Sequence, residues 1–299
     1  MALASATTQL SRRDFLRLSG AGIGAATLAR LGAFGAAGVP GFASSAEPAF
    51  AFSTETQAFF DRLLTPPDDT RAGHYDDLVN SLVAAGVWAR LDGLWVYAAA
   101  DGGTSLLNLV SSRYRATANV TAGRPAFAKD KGWTGTGINA NIHTGFTPLT
   151  SEGHLAQDDA CMFCWNLTAL STHQMVMGIS DPTPAHSNLN ERVCVWPEPD
   201  GTTYFALNSA ACDTVKLRGD SSGFWLVNRT AAAALTLDHN GSRVAATSTP
   251  SAAYKGGPFI APWGAQQVAL CGIGAALTGE QRATLHGACQ TYLHAIGAL

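Results

Sequence analysis

Leu235-Thr236-Leu237-Asp238-His239-Asn240-Gly241-Ser242-Arg243-Val244-Ala245 places an Asn-Gly pair between two short runs of strand-forming residues. Both residues of such a pair tolerate positive φ, and a two-residue turn of that kind matches the twist of the strands it joins. The stretch therefore reads as a β-hairpin, and its neighbours follow the same pattern. Working outward, apolar runs fall at Cys161–Leu167, Gln174–Ile179, Arg192–Trp196, Thr202–Asn208, Thr214–Arg218, Gly223–Arg229, Ala234–Asp238, Arg243–Ala246 and Gln267–Ile273. Asp-Gly, Asn-Gly and Gly-Asp pairs lie near them. Regularly spaced short strands of this sort predict a mainly β protein, a sandwich or jelly roll. The 31 Gly and 13 Pro of the chain suit such a turn-rich architecture.

Helical periodicity is confined to the two flanks. Thr56–Leu64 carries Phe59, Phe60, Leu63 and Leu64, and His74–Ala85 carries Leu78, Leu82 and Val83, at spacings of three and four. Thr65-Pro66-Pro67 breaks the first helix, because proline lacks an N–H and restricts the residue before it. Gly86 ends the second. Val87–Tyr97 is a further short apolar element, Asp101-Gly102-Gly103 a turn, and Ser105–Val110 another short element. At the other end, Thr278 is a helix N-cap, Glu280-Gln281 occupy the first turn, and Leu285, Cys289, Tyr292 and Ile296 line one face.

Ser11-Arg12-Arg13-Asp14-Phe15-Leu16-Arg17 precedes a Gly/Ala-rich apolar stretch from Ser19 to about Phe42. The segment resembles the twin-arginine export consensus, in which Ser or Thr precedes the Arg pair and Phe-Leu follows it. Arg12, Arg13, Phe15 and Leu16 stand at the expected offsets, and small residues at Ser44 and Ala46 suit cleavage after Ala46. Arg30, inside the apolar stretch, departs from the pattern. The expectation is that residues 1–46 are removed, that the fold forms before export, and that the protein works in the periplasm or outside the cell. The twin-arginine translocase is then a transient partner.

A second resemblance covers roughly Thr56 to the C-terminus. Gly86–Val96, Ala98–Asp101, Leu106–Leu109, Phe127–Gly137, Ile142–Pro148 and the Gly272–Thr278 approach to the final helix look like a group of phage-tail, prophage and bacterial surface proteins. Those proteins carry a concanavalin A-like (laminin-G-like) jelly roll. Together the two resemblances imply three parts: a signal peptide at 1–46, a helical appendage and linker at 47–117, and a concanavalin A-like β-sandwich at 118–299. The helical region 56–97 is expected as a cap or adapter at one end of the sandwich.

Composition narrows the function. The formal net charge is −3; residues 1–46 carry +3 and the remainder −6. A mildly acidic body without a basic run argues against nucleic-acid binding. No stretch of eighteen apolar residues runs uninterrupted, so no transmembrane segment is expected in the mature chain. A concanavalin A-like glucanase carries three acids alternating along one strand. Here Glu198-Pro199-Asp200 is followed by Gly201 and reads as a turn. No nucleophile elbow, phosphate loop or dinucleotide fingerprint occurs. His74, His143, His154, His173, His186, His239, His286 and His294 are scattered without a metal-ligand spacing, so neither a metal nor a cofactor is expected.

Six cysteines, Cys161, Cys164, Cys194, Cys212, Cys271 and Cys289, allow fifteen pairings. Cys161 and Cys164 form a Cys-x-x-Cys and are the candidate disulfide, although strand alternation points them to opposite faces and pairing needs a bulge or turn. Trp196, Tyr204 and Trp225 lie on or beside expected strands and are the candidate ligand-binding residues, since lectin-like sheets hold sugars on aromatic faces. Core packing competes for all three. Trp133 and Trp263 lie near Gly-rich turns. The expected function is an exported, non-catalytic recognition or structural module that binds a glycan or a protein partner at the cell envelope. A divergent glycan hydrolase or lyase on the same fold is the alternative, and a phage-tail-derived structural protein is a third reading.

Overall fold

Asn240 and Gly241 have φ of 47° and 81°, and the strands they join, Ala234–His239 and Ser242–Ala245, pair His239 with Ser242. The hairpin thus has the tight two-residue turn its sequence encodes. The structure, a computed structural model, describes residues 51–120, 123–136, 140–148, 151–169, 174–179, 193–209, 211–217, 221–246 and 257–299. Arg12, Arg13, Phe15 and Leu16 of the export motif, and His173 and His186, lie outside the described residues.

Four helices are described: α1 (Thr54–Phe60), α2 (Asp69–Ala84), the single turn α3 (Gly102–Ser105) and α4 (Gly279–Ala295). The strands are β1 (Leu91–Val96), β2 (Thr117–Ala118), β3 (Ala126–Ala128), β4 (Gly132–Thr134), β5 (Ile142–His143), β6 (Ala160–Asn166), β7 (Met177–Ile179) and β8 (Cys194–Pro197). They continue with β9 (Thr202–Ala206), β10 (Asp213–Lys216), β11 (Gly223–Ala231), β12 (Ala234–His239), β13 (Ser242–Ala245), β14 (Phe259–Ile260) and β15 (Gln267–Gly274). All nine strands expected from the sequence are present, and every pairing is antiparallel.

The strands form two sheets. The larger has the order β13-β12-β11-β6-β15-β4-β3, with β1 also paired to β15. The smaller has the order β10-β9-β8-β7-β14-β5-β2. One apolar core lies between them: Trp95, Met162, Cys164, Trp225, Val227 and Ile273 from the larger sheet meet Met177, Val195, Phe205 and Phe259 from the smaller. The protein is a β-sandwich.

A second core lies on the opposite face of the larger sheet. Leu94, Phe163, Trp165, Phe224, Leu226 and Leu270 pack there against Phe59, Tyr75, Leu78, Leu82, Leu285 and Tyr292 of the helices. The helices therefore cover a sheet face and make a third layer, rather than capping one end as expected. A central strand then has no solvent face. Every residue of β6 is buried, so it reads as a continuous apolar run, the signature of a strand covered on both sides. Each large side chain buried in this way stabilises the fold by about 1.5–3 kcal/mol.

The ends of the two long helices are specified locally. Asp68 caps α2 by accepting from the Arg71 amide at 2.9 Å. Thr278 and Gln281 make a reciprocal capping box on α4. Both helices close on a glycine with positive φ, Gly86 at 67° and Gly297 at 72°. The amides of Val87 and Ala298 return to the carbonyls of Leu82 and Leu293 at 2.9 and 2.8 Å, completing Schellman ends. Lys131 then donates to the carbonyls of Gly297 and Ala298.

β1 lies within the span expected as the helical appendage. It pairs along β15 from Leu91↔Gly274 to Val96↔Leu270, so this part of residues 47–117 is built into the larger sheet. Gly93 in its middle is required by packing: a Cβ there would stand 2.2 Å from Cη2 of Trp95, whose ring lies over it.

Candidate functional site

With the helices on the larger sheet, the face of the smaller sheet turned away from the core is the place where strand side chains meet solvent. Strand alternation decides which ones they are. On β8, Val195 enters the inter-sheet core while Cys194 and Trp196 point outward. On β9, Phe205 points inward, so Thr202, Tyr204 and Ala206 point outward. Trp196 pairs with Tyr204, Tyr204 with Thr214, and Thr202 with Lys216. Directly opposed residues share a face. Trp196, Tyr204, Thr202, Thr214 and Lys216 therefore form one contiguous outer patch.

Trp196 and Tyr204 are both half-buried, and Nε1 of Trp196 is itself buried. Beside them Met175, Cys194 and Ala206 form a small buried cluster against which Trp196, Cys212 and Trp263 pack. Met175 fills the space above Gly178, where a Cβ would fall 2.3 Å from its sulfur. Trp263, half-buried, extends the aromatic patch.

The polar rim comes from the β8–β9 turn. Glu198-Pro199-Asp200-Gly201 is a turn, as expected: the Gly201 amide donates to the Glu198 carbonyl at 3.0 Å, and Gly201 has φ of 87°. Asp200 accepts from the Thr202 amide at 2.8 Å and its hydroxyl at 3.1 Å, and pairs with Lys216 at 3.3 Å. Those hydrogen bonds, the Thr202 amide foremost, lower the Asp200 pKa. The carboxylate stays charged at neutral pH and is a hydrogen-bond acceptor, not a proton donor.

The third expected ligand-binding residue is elsewhere. Trp225 belongs to β11 of the larger sheet and is 1 % exposed in the inter-sheet core. Its ring stacks on His239 at 3.8 Å, and its Nε1 donates to the Ser221 carbonyl at 3.0 Å. It offers no face to a ligand. Trp133 is half-buried and donates to the Ser105 hydroxyl at 2.9 Å.

The Cys161–Cys164 expectation also fails on geometry. Cys161 faces the helices and Cys164 faces the second sheet. β6 keeps regular register with β11 through both residues, without the bulge that pairing requires. Burial pushes the Cys161 thiol up to a value beyond ordinary titration and raises Cys164 strongly.

Arg229 and Asp92 are among the buried charged groups that the sequence did not mark. Arg229 is 0 % exposed, on the inward face of β11. Its guanidinium donates to the carbonyls of Leu207 at 2.7 Å, Ala232 at 2.7 Å and Ala231 at 3.3 Å, and to the Ser209 hydroxyl at 2.6 Å. Burial lowers its pKa while Asp158 and Asp213 oppose the shift. Asp92 accepts from the amides of His154 and Leu155 at 2.5 and 2.9 Å, and burial raises its pKa against those bonds. Both groups fasten loops to the sandwich, Asp92 through backbone amides and Arg229 through backbone carbonyls and the Ser209 hydroxyl. Among the described residues, no group of three or more His, Cys, Asp or Glu is placed to hold a metal ion. Among them, too, no helix is long and apolar enough to cross a membrane.

No protein-family model matches the sequence, and a search of curated proteins finds no match. Among solved structures the chain is similar to Trypanosoma rangeli sialidase, with a TM-score of 0.48 at 10 % identity, over 74 % of this chain and 39 % of that one. The same sialidase in complex with sialic acid gives 0.46 at 9 % identity, over 73 % and 39 %. A mutant of it displaying trans-sialidase activity gives 0.44 at 9 %, over 75 % and 38 %. The chain thus spans about two fifths of the sialidase chains it is similar to.

Proposed function

We propose that the protein is a non-catalytic glycan-recognition module, exported by the twin-arginine route and working at the cell envelope. Its sandwich is read as concanavalin A-like, and its ligand lies on the outer face of the smaller sheet. The observation that carries this reading is the outward Trp196–Tyr204 pair, half-buried and paired on one strand ladder. Sugars present apolar C–H faces bordered by hydroxyls. An aromatic platform with a few placed polar groups is complementary to both. Trp196 and Tyr204 supply the platform, and Trp263 extends it. Thr202, Thr214, Lys216 and Asp200 supply donors and acceptors at its edge.

Envelope polysaccharides and their oligosaccharides are the ligand class such an aromatic strand patch suits. The test is a glycan array with the purified chain, followed by a reducing-sugar assay on each ligand found. Binding without product release supports recognition; product release moves the protein to the hydrolases. Amino-terminal sequencing of the exported protein checks the route: the expected mature chain begins after Ala46, and one beginning at Met1 overturns the export proposal.

A further inference from the structure

The geometry points to a modification site of a different kind: a disulfide between Cys194 and Cys212 on the outer face of the smaller sheet. Their sulfurs stand 3.4 Å apart. Cys194 lies on β8 opposite Ala206 of β9. Cys212 immediately precedes β10, whose first pair joins Asp213 to Phe205 on the other side of β9. The two thiols therefore meet across β9 where its outward residue is Ala206, a side chain small enough to leave the space between them open. All three belong to the same small cluster. A disulfide bond is about 2.05 Å long and holds its Cα atoms within about 7 Å, whereas residues flanking one intervening strand stand about 9–10 Å apart, so the segment before β10 must move about 2–3 Å toward β8 as the sulfurs close. Cys212 lies before the first rung of its ladder, where the backbone is least constrained.

The other cysteines are less suited. Cys161 and Cys164 face opposite sides of β6. Cys164 does lie opposite Cys271 on β15, but both are 0 % exposed between the sheets, out of reach of an oxidant once the fold has formed. Cys289 is buried in the helix-side core. Cys212, by contrast, is half-buried, and a small oxidant reaches it from solvent.

The chemistry is thiol–disulfide exchange with a low-molecular-weight disulfide, RSSR. The Cys212 thiolate attacks one sulfur of RSSR, releasing RS⁻ and forming a mixed disulfide. The Cys194 thiolate then attacks the Cys212 sulfur and releases the second RS⁻. Two electrons pass from the cysteine pair to the oxidant, and the two thiol protons end on the two RSH products. The bond closes the Cys194–Cys212 loop and ties β8 to β10 across β9, beneath Trp196 and Trp263. It stands apart from the ligand reading, since it requires only the two thiols and an oxidant.

The test uses the full purified chain, reduced and then incubated with oxidised glutathione. Thiols are counted in denaturant before and after, and the cross-linked peptides are mapped by mass spectrometry. The expected result is a fall from six thiols to four, with the peptide containing Cys194 joined to that containing Cys212. A rise in Tm of about 5–10 °C accompanies it, the size expected for a loop of this length in a chain of this size. Cys212→Ser abolishes both changes. A Cys194→Ser variant, which changes the buried partner, does the same; if it fails to fold, the partly exposed Cys212→Ser still decides the matter. Six thiols persisting after oxidation overturn the proposal, and so does a cross-link that joins any other pair.

Discussion

Trp196 and Tyr204 are register partners on adjacent antiparallel strands, and both side chains leave the face of the smaller sheet that is turned from the core. Trp225, the third aromatic expected beside them, is sealed between the sheets. The contrast yields a stability prediction. Trp225→Ala should cost about 3–5 kcal/mol, as for other buried large-to-small changes. Tyr204→Ala should cost roughly 1 kcal/mol, because its ring gives up less buried surface. Urea denaturation of the two variants measures both. Equal losses would mean that the two rings are equally buried in solution.

Arg229 offers a second stability test. Replacing it with Met keeps much of the volume but leaves the Leu207, Ala231 and Ala232 carbonyls and the Ser209 hydroxyl without their donor. Each buried acceptor left without its donor costs about 1–3 kcal/mol, so a loss of about 3–5 kcal/mol is expected for the set. Lysine is not a conservative replacement here, since a point charge cannot fork to four acceptors. Chemical denaturation of Arg229→Met should show a loss in that range; a loss below about 1 kcal/mol would contradict the assigned role.

His286 makes stability depend on pH. Its ring stacks on Phe224 at 5.0 Å and lies near Trp165 at 5.4 Å. Burial lowers its pKa from the ordinary 6.5, and Asp238 opposes this only in part. The folded state therefore favours the neutral ring. That contribution is fully present above about pH 6.5 and is lost as pH falls through the lowered folded value. Thermal melts between pH 7.5 and 5 should show stability declining in the wild type. His286→Phe should flatten the decline, with His143, also lowered by burial, accounting for a remainder. An unchanged slope in the variant would remove His286 from the account.

Gly93→Ala tests the strand that the sequence concealed. The added Cβ would meet the Trp95 ring at 2.2 Å, so β1 must shift against β15. The expected cost is about 1–3 kcal/mol, typical of overpacking, with slower-protected amides along Leu91–Val96 in hydrogen exchange becoming fast. A neutral substitution would show that the ring moves aside freely.

These particulars also show how far the sequence was legible. The nine expected strands were readable because turn chemistry lies near them, with Asn240-Gly241 the clearest case. The ends of α2 and α4 were readable from Gly86 and from the Thr278 cap. β1 was harder to read: Asp92-Gly93 interrupts its apolar run, and the need for that glycine lies in how the Trp95 ring folds back. The shortest strands, such as β2 and β5, pair over only two residues, too few for any periodicity. The helices' place on a sheet face was hidden because the long apolar runs of β6 and β15 mark strands covered on both faces but not which element covers the second one. The aromatic patch was half legible. Trp196 and Tyr204 were visible as strand aromatics, but that they are neighbours, and that Trp225 is not, depends on register, a long-range property. Arg229 resembled any surface arginine, since nothing nearby in sequence marks it as buried.

The central claim is that the Trp196–Tyr204 patch binds a glycan. Its most direct measurement is calorimetric titration of the chain with the strongest ligand from an envelope-glycan array, comparing wild type with Trp196→Ala and Tyr204→Ala. Each variant should keep its circular dichroism spectrum and weaken binding at least tenfold, and the double variant should show none. Unchanged affinity in both folded variants, or no glycan bound by the wild type, would contradict it.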